Sequence, residues 1–321
     1  MTSSTMAAPD ERQDHAFDHP ALFYAGEREF VTGVGAFVRT ALAAGEPALV
    51  AVPGVRLRAL RDDLGPPGED VTWIDMTQLG RNPGRILSAL QDFADRHPDR
   101  PARIVGEPIW GSRTPAEMRE ATRHEALINL AFAGRVASIL CPYDTSALPA
   151  GVLADAHRTH PVVTRGDVTR PSPHYTDPLR VCADCDVPLP APPPTVHVLR
   201  YGTGDLQPVR VRAEKWMREL GLSAARRTDL LLALCEATTN SVRHGGGSGT
   251  LLLWSSDTTA HVETRDAGHF SDPLTGRRRP NPRSPHGGRG VWMIHELCDL
   301  VEIRDGRDGL VIRMSMSRTG P

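Results

Sequence analysis

The alternation of apolar and polar positions divides the chain into two stretches with different rhythms. Over residues 15–163, short apolar runs alternate with longer segments of helical periodicity. Ala48-Leu-Val-Ala-Val52 is a continuous apolar run closed by Pro53-Gly54, and it reads as a buried strand. Val71 to Asp75, Ala102 to Gly106 and Val136 to Pro142 read the same way. Between them, Glu29 to Ala43, Arg56 to Leu64, Pro83 to His97 and Pro115 to Phe132 carry helical spacing, with Asn82 placed to cap the third and Pro83 at its first position. Strands alternating with helices predict a parallel α/β sheet. Ligands of such sheets sit beyond the carboxyl ends of the strands, which singles out Asp75, Glu107 and Tyr143-Asp144.

Residues 196–318 read differently. A strand at Val196 to Tyr201 precedes two helices, Gln207 to Leu220 and Ala224 to His244. Strands follow at Thr250 to Ser256 and Ala260 to Arg265, then a loop rich in Arg, Pro and Gly, then a helix at Gly290 to Leu297. Two last strands, Leu300 to Arg304 and Leu310 to Met316, flank a turn at Asp305 to Gly309. This order predicts helices packed on one face of a mixed sheet, an α+β sandwich. Between the two stretches, residues 164–195 hold eight prolines from Pro171 to Pro194. Proline lacks an N–H and fixes φ, so this segment reads as a semi-extended linker between two domains. Residues 1–14 are polar and read as a flexible tail.

Composition narrows the class. The 321 residues suffice for two domains, and 40 % apolar with 24 % charged residues is typical of a soluble globular protein. The net charge is −2 and the pI about 6.7, so no basic footprint for direct nucleic-acid binding is present. No apolar run approaches the roughly 20 residues that span a membrane, and a cytoplasmic location is the expectation. Cys141, Cys182, Cys185, Cys235 and Cys298 are too few and too odd a set for a disulfide framework. Cys235 and Cys298 sit in apolar helical stretches and read as core. Cys182-Ala-Asp-Cys185 is half of a zinc pattern, and without a second pair it reads as an exposed linker feature. Lys215 is the only lysine and lies outside any Gly-rich loop, which excludes a P-loop.

The chemistry concentrates between Leu230 and Gly290. Glu236, Asn240 and His244 follow one another at four-residue spacing and share a helix face, apart from the core face of Leu231, Leu234, Cys235, Thr238 and Val242. An Asn carbonyl suits a hard cation whose remaining ligands are phosphates, and a neighbouring Glu can act as general base. Asp266-Ala-Gly268 ends a predicted strand, where a carboxylate can accept from an exocyclic amine and glycine permits close approach. Gly287-Gly288-Arg289-Gly290 opens a predicted helix, and N–H groups at such a terminus bind phosphate. Each segment alone has a plain reading as a solvated face or a tight turn. The three together, in this order, form a far more specific set.

That set resembles the N, G1 and G2 boxes of the GHKL (Bergerat) ATPases, and within them the anti-sigma factor serine/threonine kinases. The resemblance runs from Leu206 to Met316. It implies ATP and Mg2+ as cofactors, Glu236 as catalytic base, and Asn240 as Mg2+ ligand. It makes Asp266 the adenine-reading carboxylate, with His244, Gly268, Gly288, Arg289 and Gly290 also at the nucleotide. Residues His269 to Gly287 become a lid. Phe270 stands where the usual G1 pattern has a second glycine, and the lid is rich in Arg, with Arg277-Arg-Arg279 and Arg283. Those arginines fit contact with phosphate, with an acidic partner, or with solvent alone.

The first stretch has a resemblance of its own. His19-Pro20-Ala-Leu-Phe23-Tyr24, Leu79-Gly-Arg81-Asn82-Pro83, Gly106-Glu107-Pro-Ile-Trp110, His124-Glu125-Ala-Leu-Ile-Asn129 and Cys141-Pro-Tyr143-Asp144 are similar to the MEDS sensory domain. That implies a RecA-like parallel sheet that senses small organic molecules. Arg81, Glu107, Glu125, Asn129 and Asp144 are candidates to line its ligand pocket, or else form a buried polar network. Joined, the two resemblances imply a sensor-controlled protein serine/threonine kinase. Its partners would be a STAS-type anti-sigma antagonist and a sigma factor, with a homodimer as the expected state. A sensor histidine kinase is the second reading. It needs a phosphoacceptor His on a helical hairpin, which the Pro-rich segment around His174 and His197 does not offer. A non-enzymatic, nucleotide-gated binding module is the third.

Overall fold

The computed structural model describes residues 17–65, 70–280 and 289–319; the tail over 1–14 lies outside them. The first stretch runs β1 (Pro20–Tyr24), α1 (Gly26–Ala43), β2 (Ala48–Val52), α2 (Gly54–Leu64), β3 (Val71–Asp75) and α3 (Met76–Leu79). A 3-10 turn (Pro83–Arg85) leads into α4 (Ile86–Asp95), followed by β4 (Ala102–Gly106), α5 (Pro115–Ala131), β5 (Ala137–Asp144) and α6 (Ala150–Thr159). These build a seven-stranded sheet with β6 (Val162–Arg165) and β7 (Val168–Pro171), in the order β3-β2-β4-β5-β1-β6-β7. All pairs are parallel except the β6–β7 hairpin.

Successive strand residues point to opposite faces, and the core divides accordingly. Leu22, Tyr24, Val50 and Val105 pack under α1 and α2. Ala21, Phe23, Ile104, Ile139 and Cys141 face α4, α5 and α6. Helix α5 starts at a capping box, in which Thr114 accepts from the Glu117 N–H while Glu117 accepts from the Thr114 N–H, with Pro115 at the first position. The single helix expected over Pro83 to His97 opens instead as a 3-10 turn. Asn82 caps it as expected, its side chain accepting from the Gly84 N–H.

The segment expected to be an extended linker over 164–195 is partly built of regular elements. It carries the end of β6, all of β7 and a short helix α7 (Pro178–Asp184). The prolines are compatible because of where they fall: Pro171 ends an edge strand, and Pro178 occupies the first turn of α7, behind the Asp177 cap. Cys182 and Cys185 are buried rather than exposed, because α7 packs its apolar side onto α5. Burial pushes the Cys185 thiol up to about 11.

The second stretch holds β8 (His197–Gly202), α8 (Leu206–Glu219), α9 (Ala224–His244), β9 (Ser248–Ser255), β10 (Thr259–Asp266), α10 (Arg289–Leu297), β11 (Leu300–Gly306) and β12 (Gly309–Ser317). Its sheet has the order β11-β12-β10-β9-β8 and is antiparallel throughout, not mixed. Leu251, Leu253, Val262, Ile312 and Met314 bury one face against the apolar sides of α8, α9 and α10. The residues after α7 lie across the other face. The Val187 carbonyl accepts from Arg304 Nε at 2.8 Å, and the Pro190 carbonyl from Arg313 Nη2 at 2.7 Å.

The two sheets are joined by buried polar contacts. Glu120 of α5 meets Arg304 at 2.8 Å and Arg277 at 3.1 Å, with Arg123 at 3.4 Å. Burial would raise the Glu120 pKa, but the three guanidiniums outweigh it and hold the carboxyl below its usual range. Leu274 inserts into the core of the first stretch, a burial worth about 1.5–3 kcal/mol. Asn82 Nδ2 donates to the His295 carbonyl of α10 at 2.9 Å, and Arg85 pairs with Glu296 at 3.2 Å. A Cβ at Gly84 would fall 2.0 Å from His295 Nδ1, so only glycine fits this junction. Among the described residues no helix is long and apolar enough to cross a membrane.

Candidate nucleotide site

Helix α9 is long enough to serve two purposes. Leu230, Ala233, Leu234, Ala237 and Ser241 face the sheet and are buried. The face a third of a turn away turns Glu236, Asn240 and His244 into a cavity of about 530 Å³. The same cavity is lined by Asp266 and Gly268 at the end of β10, and by Arg289 and Gly290 at the start of α10. The structure therefore brings together seven of the residues singled out in the carboxyl-terminal stretch. The eighth, Gly288, lies outside the described residues, as does Arg283.

Close approach fixes the geometry. A Cβ at Gly245 would lie 2.3 Å from Asp266 Oδ1, and one at Gly290 would lie 2.8 Å from Glu236 Oε2 and 2.9 Å from Asn240 Nδ2. The amino-terminal turn of α10 is thereby seated directly over the Glu236–Asn240 face. Asp266 is oriented by a relay absent from the motif reading. The Tyr201 hydroxyl donates to Ser241 Oγ at 2.9 Å, and Ser241 donates to Asp266 Oδ2 at 2.5 Å. Asp266 Oδ1 accepts from the Gly268 N–H at 2.8 Å. Burial, with a smaller contribution from Asp266, pushes the Tyr201 pKa up to about 12 against the Ser241 hydrogen bond, so its proton stays in place. Asp266 keeps lone pairs directed to the cavity for a further donor.

Phe270, where a second glycine was expected, is anchored. Its N–H donates to Asp305 Oδ2 at 2.8 Å, and His269 Nδ1 lies 2.6 Å from Asp305 Oδ1. The arginine run behind it meets acidic groups of the first stretch: Arg277 binds Glu120, and Arg279 binds Asp92 at 2.9 Å. Phe270, Ser271 and Thr275 also line a second cleft of about 410 Å³, walled on its far side by Arg123, Cys182 and Asp186. The segment 270–275 is thus a shared wall between the nucleotide-sized cavity and the junction with the first sheet.

The five candidates in the first stretch fall in three places. Glu107 is fully buried, accepts from the Tyr24 hydroxyl at 3.0 Å and pairs with Arg56. Arg56 also holds Asp144 at 2.9 Å. Glu125 and Asn129 meet His19 beneath α5. Arg81 binds Asp299 at the junction, at 2.8 Å. None of the five lines the groove of about 950 Å³ beside β1 and α1. Arg56, Tyr24, His19 and Glu120 were not singled out as functional positions, because the polar partners that define them lie far along the chain, from Arg56–Glu107 to Glu120–Arg304, and leave no local spacing to read.

Residues 18–161 match the MEDS family (MEthanogen/methylotroph, DcmR Sensory domain), and residues 203–316 match the histidine kinase-like ATPase domain family. The chain carries a MEDS domain followed by a histidine kinase-like ATPase domain of the GHKL class. Among solved structures it is similar to the RsbU and RsbW domains of Rv1364c from Mycobacterium tuberculosis. That similarity is 19 % identity over 41 % of this chain and 34 % of that one, with a TM-score of 0.29. No curated protein matches.

Proposed function

We propose that the chain is a Mg2+–ATP-dependent protein serine/threonine kinase of the anti-sigma type, controlled by its MEDS domain, with a STAS-type antagonist as phosphoacceptor and a sigma factor as a further partner. The observation that carries this reading is the single cavity uniting Glu236, Asn240, Asp266 and the start of α10. The residues present fit the group. Gly290 leaves backbone room that a Cβ would fill, and the donor set combines a carboxamide oxygen, two carboxylates and helix N–H groups. Bound Mg2+–ATP would supply the phosphoryl group and the cation that offsets its charge. Asp266, held by Ser241 and Gly268, accepts a hydrogen bond from an exocyclic amine. Asn240 would present its carbonyl to the metal. Glu236 would take the proton of the acceptor hydroxyl, the γ-phosphoryl group passing to that oxygen with loss of its bond to the bridging oxygen of ADP, and the N–H groups at the start of α10 would hold the phosphates.

Control follows from the shared wall. A change on the α5–α7 side of segment 270–275 reaches the cavity through Phe270, Ser271 and Thr275. The histidine-kinase reading finds no helical hairpin between the two sheets, where the one helix, α7, has 7 residues.

The test is phosphotransfer from γ-labelled ATP to a STAS-domain protein by the purified full chain. Glu236→Gln is expected to lower transfer about 10²–10⁴-fold while ATP binding changes by less than a few-fold. The phosphate on the acceptor is expected to be acid-stable. Acid-labile phosphate, or transfer unaffected by the substitution, contradicts the assignment.

A further inference from the structure

Beneath α5, away from the nucleotide cavity, four side chains with metal-ligating atoms converge: His19 ahead of β1, Glu125 of α5, Cys141 of β5 and His160 at the end of α6. All four are at most 1 % exposed. Their donor atoms lie within 4.8 Å of one another. His19 Nε2 is 3.3 Å from Glu125 Oε2 and 3.4 Å from Cys141 Sγ. Cys141 Sγ is 3.3 Å and His160 Nε2 3.4 Å from Glu125 Oε2. A tetrahedral centre with bonds of about 2.0–2.3 Å places its donors roughly 3.3–3.7 Å apart, and the four spacings just given match those edges.

The outer partners settle which nitrogens face inward. Asn129 Nδ2 donates to the Thr159 carbonyl at 2.8 Å, which leaves its Oδ1 toward His19 Nδ1 at 3.1 Å. His19 Nδ1 therefore carries the proton. His160 Nδ1 lies 2.9 Å from the Ala156 carbonyl, which only accepts, so it too is the protonated nitrogen. Both Nε2 lone pairs consequently point at the Glu125 carboxylate, and that of His19 also at the Cys141 sulfur. Neither His160 Nε2 nor Glu125 Oε1 has a hydrogen-bond partner among the described residues. Lone pairs facing a buried anion repel unless a cation sits between them, and oriented imidazoles with oxygen acceptors behind them are the usual outer shell of a metal site.

We infer that His19, Glu125, Cys141 and His160 form a closed, tetrahedral site for a divalent transition metal of the zinc class. Two imidazoles and a thiol exclude the hard cations Mg2+ and Ca2+, which take oxygen ligands. Binding releases the Cys141 proton to solvent as the thiolate bonds the metal. Four protein donors leave no open position, so the metal ties α5 and α6 to the sheet and is not a reaction centre. Glu120, which holds Arg277 and Arg304, lies on the same helix as Glu125.

The test is metal analysis of the purified full chain, followed by stripping with chelator and titration with Zn2+ alone. About one zinc per chain is expected, with affinity falling at least tenfold in Cys141→Ser and in His160→Gln. The double variant Cys182→Ser/Cys185→Ser should keep the metal. With Co2+ in place of zinc, a thiolate charge-transfer band should appear in the wild type and in that double variant. The cobalt spectra decide the matter if the ligand variants fail to fold. No stoichiometric zinc, zinc retained in folded Cys141→Ser and His160→Gln, or a cobalt band lost only with Cys182 and Cys185, overturns the site.

Discussion

Helices α9 and α5 both carry glutamates at positions that matter, and they use them in opposite ways. Glu236 of α9 is half-buried at the edge of a cavity, and its companions Asn240 and His244 come from the same helix face. Glu120 and Glu125 of α5 are at most 1 % exposed, and their partners lie far along the chain. Glu120 binds Arg277 and Arg304, while Glu125 meets His19, Cys141 and His160. A carboxylate left at a cavity edge is available for chemistry. A carboxylate sealed among fixed cations or metal-ligating groups holds structure, and its removal is felt as lost stability.

The largest effect expected from this contrast is on α5. Glu120→Gln leaves Arg277 and Arg304 buried beside a neutral amide, and about 3–5 kcal/mol of stability should be lost in urea unfolding. The pH dependence has a definite sign. The folded-state pKa of Glu120 lies below the unfolded value of about 4.3, so its contribution is present above that value. It is lost as pH falls through the folded value, and the difference between wild type and variant should shrink in acid. A variant as stable as the wild type near pH 7 would erase the contrast.

A smaller effect is expected at the cavity. Gly245→Ala drives a methyl toward Asp266 Oδ1 and should weaken nucleotide binding about tenfold, the equivalent of about 1.4 kcal/mol, within the range of an overpacked contact. Calorimetric titration with ADP measures it. The smallest effect is expected from Tyr201→Phe, which removes the donor to Ser241. It should cost about 0.5–1.5 kcal/mol of stability in thermal melts and shift nucleotide affinity only slightly.

The same contrast explains what the sequence revealed. Glu236, Asn240, Asp266 and Gly290 were legible as one cluster because they lie in short segments whose spacing survives without the fold. The β2, β3 and β4 strands were legible because each is a continuous or nearly continuous apolar run. The hairpin β6–β7 and helix α7 were not, because proline density outweighed the apolar side that Val181 and Cys182 present to α5. Arg81, Glu107, Glu125, Asn129 and Asp144 were recognisable as a set through the MEDS resemblance. Their separation into three places depends on β1 lying between β5 and β6, and no periodicity along the chain encodes that order. The relay from Tyr201 to Asp266 joins residues on different elements and was equally out of reach.

The central claim is that the cavity between α9 and α10 is a Mg2+-dependent nucleotide site. Titrating the full chain with ATP, with and without Mg2+, in the wild type, Asn240→Ala and Asp266→Asn tests it most directly. The account predicts binding that is tightened by Mg2+ in the wild type, loses that Mg2+ dependence in Asn240→Ala, and falls about 10–100-fold in Asp266→Asn, in line with losing a hydrogen bond to a charged group. ATP binding that is indifferent to Mg2+ and unchanged in both variants would contradict it.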